Sequence, residues 1–130
     1  MFTLDDILLP LALTVIIDKK VRKPEMDEFC RQAAGLIDLF DLEPMSKSQL
    51  MAWYEKKHAE LNEDLGGKRK NTIILRALTR FKDTVEMENI YDAMLAISVS
   101  DNEYVKEESE LIRSAASIWG FSRPPFKVKR

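Results

Sequence analysis

Apolar residues recur at spacings of three and four along almost the whole chain, and no stretch shows the alternation of a half-buried strand. The pattern predicts six helices. The first runs from about Leu4 to Ile17, with Thr3 able to cap it and Asp5 and Asp6 suited to the positive end of its dipole. Few polar side chains interrupt it, which predicts a place in the centre of the fold. Pro10 removes one backbone hydrogen bond from its interior and predicts a kink. The second, from about Pro24 to Phe40, carries one stripe: Met26, Phe29, Cys30, Ala33, Leu36, Ile37 and Phe40. Gly35 costs about 1 kcal/mol against Ala inside such a helix, and a close helix crossing would explain it.

Pro44 ends that segment. Ser46 caps the third helix and Gln49 completes a capping box. Leu50, Trp53, Tyr54, Leu61 and Leu65 form the apolar side, and Gly66-Gly67 the stop. A fourth helix is expected over Lys70–Lys82, with Ile73, Ile74, Ala77, Leu78 and Phe81 inward and Arg76, Arg80 and Lys82 on the surface. Helix 5 follows from about Val85 to Ser100. Helix 6 runs from Lys106 to Trp119, with Gly120 as its stop. The expected fold is therefore all-α, a helical bundle of about six helices joined by short loops. Residues 1–121 form one domain, followed by a basic, flexible tail over 122–130.

Shifting the chain by 83 positions, the distance from Asp18 to Asp101, brings its two ends into register. Ile7 falls on Ile90, Leu8 on Tyr91, Leu11 on Met94, Ala12 on Leu95, Phe29 on Ile112, Ala33 on Ala116 and Leu36 on Trp119. Glu25 falls on Glu108. Two related helix-loop-helix units follow, with helices 3 and 4 inserted between them. In each, an apolar helix ends in Asp, a short loop follows, and a Glu opens the next helix.

That motif, Ile16-Ile17-Asp18-Lys19-Lys20-Val21 with Glu25 and Val99-Ser100-Asp101-Asn102-Glu103-Tyr104 with Glu108, resembles the tellurite-resistance TerB-like family. The likeness covers nearly the whole chain except the tail. The family usually carries Gly directly after the Asp, where this chain has Lys19 and Asn102. The resemblance implies an all-helical domain seen in bacterial stress-response proteins and as a module of larger ones, including membrane-anchored J-domain co-chaperones. It also implies acidic residues that bind metal or partners.

Composition narrows the chemistry. The 20 basic and 22 acidic residues leave a net charge of −2, which gives no sign of a general nucleic-acid-binding field. Cys30 is the one cysteine and rules out an internal disulfide; it reads as a small buried hydrophobe. The run Ile7–Ile17 is too short to span a bilayer, which needs about 20 apolar residues, and acidic residues precede it where a signal peptide carries basic ones. A cytoplasmic protein without a membrane span is expected. His58, between Lys57 and Ala59, reads as a solvated helix residue.

The candidate site is the acidic set Asp18, Glu25, Asp101, Glu103 and Glu108. As structure, Glu25 and Glu108 sit in first turns, where the helix dipole favours a carboxylate, and Asp18 and Asp101 suit Asx turns. As function, the set could form an acidic patch for a protein partner. Alternatively it could hold a hard cation such as Ca²⁺ or Mg²⁺, although neither loop has EF-hand spacing. No catalytic residue and no required cofactor emerges. The expected function is a non-catalytic binding or scaffold domain, presenting the acidic loops or a helical groove to a protein. The alternative is a metal-dependent sensor or enzyme. Phosphate contact through helix 4 and the tail is a third reading, ranked last.

Overall fold

The structure, a computed structural model, describes residues 2–17, 23–100 and 106–121. All regular structure among them is helical: α1 (Leu4–Ile16), α2 (Lys23–Leu39), α3 (Lys47–Leu65), α4 (Lys70–Thr79), α5 (Thr84–Ser98) and α6 (Lys106–Trp119). The expected all-α bundle of about six helices is what the chain forms. The tail, 122–130, and the two loops with Asp18, Asp101 and Glu103 lie outside the described residues.

The capping signals act as read. The Asp6 N–H donates to Thr3 Oγ1 at 3.2 Å while the Thr3 N–H donates to Asp6 Oδ2 at 3.1 Å, and Ser46 and Gln49 make the same reciprocal pair. Two orphan donors are satisfied at each helix start. α1 runs unbroken through Pro10, and the Thr14 hydroxyl donates to the Pro10 carbonyl at 2.9 Å.

The stops expected at Gly66 and Gly120 are where α3 and α6 end, whereas α4 stops at Thr79, short of Lys82. α2 stops because Asp41 takes a left-handed conformation, φ 57°. The Leu42 N–H then returns to the Ile37 carbonyl at 2.9 Å and the Asp41 N–H to that of Asp38 at 3.1 Å. α6 ends in the same way at Gly120, φ 79°, with the Phe121 N–H on the Ala116 carbonyl at 2.8 Å. This Schellman pattern satisfies the last carbonyls. Gly66, by contrast, stays right-handed. Gly35 is exposed, and a Cβ there would meet nothing within 4 Å. The expected close crossing at Gly35 is absent.

α1 is the hub, as its apolar circumference predicted. It packs against α2, α3, α4 and α5, and Ile7, Leu8 and Leu11 to Val15 are all fully buried. α5 lies against α1, α2 and α6, while α4 bridges α1 and α6. Both members of each repeat pair named above, from Ile7/Ile90 to Leu36/Trp119, are buried. The two units are not packed equivalently, however. α2 lies extensively on α5, whereas α1 and α6 are kept apart by α4. The inserted helices have taken the place of one of the two contacts that a symmetric pair would make.

Side chains fix this arrangement. Trp119 Nε1 donates to the Leu78 carbonyl at 2.7 Å, tying the end of α6 to the last turn of α4. Trp53 Nε1 and Lys57 Nζ donate to the two Asp5 carboxylate oxygens at 2.8 and 3.2 Å, holding α3 to the start of α1. Arg80 pairs with Asp6 at 3.3 Å and does the same for α4.

Candidate functional site

Of the five acidic candidates, the described residues include Glu25 and Glu108. Both are interior: Glu25 is 0% exposed and Glu108 1%. Each engages at least one partner. Deep burial of a carboxylate costs several kcal/mol unless hydrogen bonds or opposite charge compensate it. These two side chains are therefore internal fixtures of the fold, at repeat-equivalent places, and cannot face a partner across solvent. The sequence held the signal. Glu25 lies one helical turn before Phe29, and Glu108 one turn before Ile112, each on the buried stripe of its own helix.

Among the described residues no three of His, Cys, Asp and Glu come together as a metal-holding group. A hard cation takes six to eight oxygens. A cation site would therefore have to draw on Asp18, Asp101 and Glu103, outside the described residues.

Three open concavities among the described residues lie along α2. One, of about 250 Å³, is lined by Met26 of α2 and by Met51, Tyr54, Glu55 and His58 of α3. The α3 residues fall at i, i+3, i+4 and i+7, one helix face. The Tyr54 and His58 rings meet at 5.9 Å between centroids. His58, half-buried, is thus also part of a groove wall, at i+4 spacing from Tyr54. The Tyr54 hydroxyl is buried with no hydrogen-bond partner among the described residues. Burial first, then the negative charge of Glu25 and Glu55, pushes this phenol far above its ordinary value. It stays neutral throughout the physiological range.

On the other flank of α2 a groove of about 450 Å³ runs past Cys30, Ala34, Met45 and Leu50. Lys47 sits 2.9 Å from Asp27 at its edge. The Cys30 thiol is buried, and that burial raises its pKa. A neutral thiol is a poor nucleophile, so Cys30 fits the role of small core residue expected of it.

No helix among the described residues is long and apolar enough to cross a membrane. Comparison with family models, curated proteins and solved structures finds no match for this chain. The TerB-like resemblance therefore rests on the residues quoted above.

Proposed function

We propose that this chain is a non-catalytic, TerB-like binding or scaffold domain that receives a protein segment in the groove between α2 and α3. The observation that carries the reading is the groove's lining. Met26 and Met51 offer flexible, polarisable apolar surface that adapts to a partner. Tyr54 and His58 add an aromatic wall, and Glu55 a charged rim. Such a surface suits an apolar helix face or an extended segment. The buried positions of Glu25 and Glu108 favour the groove over the acidic loops as the docking face. The stress-related role implied by the resemblance belongs with this reading.

A photo-crosslinking side chain at the exposed Met51 tests it in cells. The expected result is one discrete protein adduct, competed by excess unlabelled chain. The same label at Leu39, exposed at the far end of α2, is expected to give none. Equal, diffuse labelling at both positions would contradict the proposal.

The second reading is a divalent-cation sensor or metal-dependent enzyme. One observation favours it: a buried carboxylate closes each Asp-x₆-Glu segment, at Glu25 and at Glu108. Those two side chains would supply the inner ligands, and Asp18, Asp101 and Glu103 the outer ones. Cation-dependent unfolding separates the two readings.

A further inference from the structure

From Gly66 to Lys82 the chain carries Lys68, Arg69, Lys70, Arg76, Arg80 and Lys82 and no acidic residue, although acidic residues outnumber basic ones overall. α4 buries Ile74, Ala77 and Leu78. At about 100° per residue, Leu75, Thr79, Thr72, Arg76, Arg69 and Arg80 then fall within roughly 140° of arc on the opposite side. All six are exposed. Arg69 and Arg80, which cap α4, keep right-handed backbone, so they continue the row that Arg76 begins.

Lys68, Arg69, Lys70, Arg76 and Lys82 form no ion pair among the described residues, whereas Lys23, Arg31, Lys47 and Lys57 each do. Glu63 and Asp64, at the end of α3, and Asp83, which caps α5, leave them unpaired too. The positive charge on this face is therefore not neutralised from within. The row is also held still. Trp119 Nε1 donates to the Leu78 carbonyl, and Arg80 pairs with Asp6 of α1 at 3.3 Å. A surface fixed in this way loses little freedom when a partner lands on it.

We infer that this outer face of α4 docks an acidic amphipathic helix of a protein partner. Charge complementarity sets the partner's sign. Arg69 and Arg76 lie about 10 Å apart along the axis, and Arg76 and Arg80 about 6 Å. A helix laid along α4 presents carboxylates at the same spacings when they stand seven and four residues apart. Guanidinium groups hold carboxylates through paired hydrogen bonds. Leu75 decides against other polyanions. It is 50% exposed at one edge of the arc, beside the arginine row. The phosphates of a nucleic acid leave it unmet, whereas an apolar residue of a partner helix covers it. A membrane-surface helix instead lays a whole apolar face among the headgroups, and that face of α4 is already packed in the core. The docking face shares no residue with the α2–α3 groove and does not depend on it.

Fluorescence anisotropy of the full chain with a synthetic helical peptide tests this. The peptide carries glutamates seven residues apart and a leucine on the same face. It is expected to bind, more weakly as salt rises, and its glutamine counterpart is not. Arg69→Gln/Arg76→Gln is expected to lower the affinity about tenfold, the effect of losing two partly exposed ion pairs. Arg69→Glu/Arg76→Glu should abolish binding and instead bind the peptide with lysines in place of its glutamates. Leu75→Ser should lower the affinity several-fold at unchanged salt dependence, and Lys56→Gln, on α3, should leave it unaltered. All these side chains are exposed, so an unchanged thermal midpoint serves as the folding control. No binding of the acidic peptide, equal binding of its glutamine counterpart, or indifference to the Arg69/Arg76 pair would overturn the proposal. So would tighter binding to phosphatidylserine vesicles or to a homopolymer RNA, which assigns the face to lipid or to nucleic acid.

Discussion

Tyr54 shows how one atom in the wrong surroundings sets a measurable property. Its buried hydroxyl has no hydrogen-bond partner among the described residues and lies near the charge of Glu25 and Glu55. The folded-state pKa is raised, so the native state holds this proton more tightly than the unfolded chain does. Its contribution to stability is present below the ordinary phenol value near 10 and is lost as pH rises beyond it. Tyr54→Phe removes the stranded hydroxyl. The variant is expected to be as stable as the parent at pH 7, or more so, and to resist alkaline unfolding better between pH 10 and 11 in a fluorescence-monitored titration. Asp5 works in the opposite sense. Its hydrogen bond from Trp53, with the Lys57 ammonium beside it, lowers its pKa. Its contribution is in place at neutral pH and disappears as pH falls below about 4. Asp5→Asn should therefore lower the thermal midpoint at pH 7 and leave a smaller difference from the parent at pH 3. Gly35 is the third such residue. With open space around it, Gly35→Ala should stabilise the protein by roughly 0.5–1 kcal/mol in a denaturant titration, through helix propensity alone.

Helices are the scale at which the sequence was most legible, for local reasons. A capping box needs only residues three apart, so that of α3 was read directly, while at α1 the Thr3 cap was read and the return bond from Asp6 was not. The stripe of Phe29, Ala33 and Leu36 predicted the buried face of α2 because periodicity records burial. What depends on distant neighbours was not legible. Gly35 resembled a crossing point, but a Cβ there would meet nothing within 4 Å. The α1–α6 separation follows from where α4 inserts, which no local pattern encodes. The acidic helix starts were read as caps because a first-turn Glu suits either a solvated end or an interior one. Their place on the stripe was the deciding clue. Trp119 ties two elements with one hydrogen bond. Trp119→Phe keeps the ring but leaves the Leu78 carbonyl without its indole donor. A loss of about 1–3 kcal/mol is expected at equilibrium, because α4 and α6 then hold by packing alone.

At the scale of the molecule, the helices share one continuous core built on α1 and α5. The duplicated helix-loop-helix units and the inserted pair are thus expected to unfold together. Fluorescence and circular dichroism should give coincident transitions. In this account the repeat builds a rigid scaffold. Its paired carboxylates are internal parts, and its α2–α3 groove is the face proposed to receive a partner. The central claim is that this scaffold works without a metal. Thermal unfolding of metal-stripped protein, titrated with Ca²⁺, Mg²⁺, Mn²⁺ and Zn²⁺, tests it most directly. The account predicts a flat midpoint up to millimolar ion. A concentration-dependent rise, abolished in Asp18→Asn/Asp101→Asn, would show ligation to the folded state and contradict it.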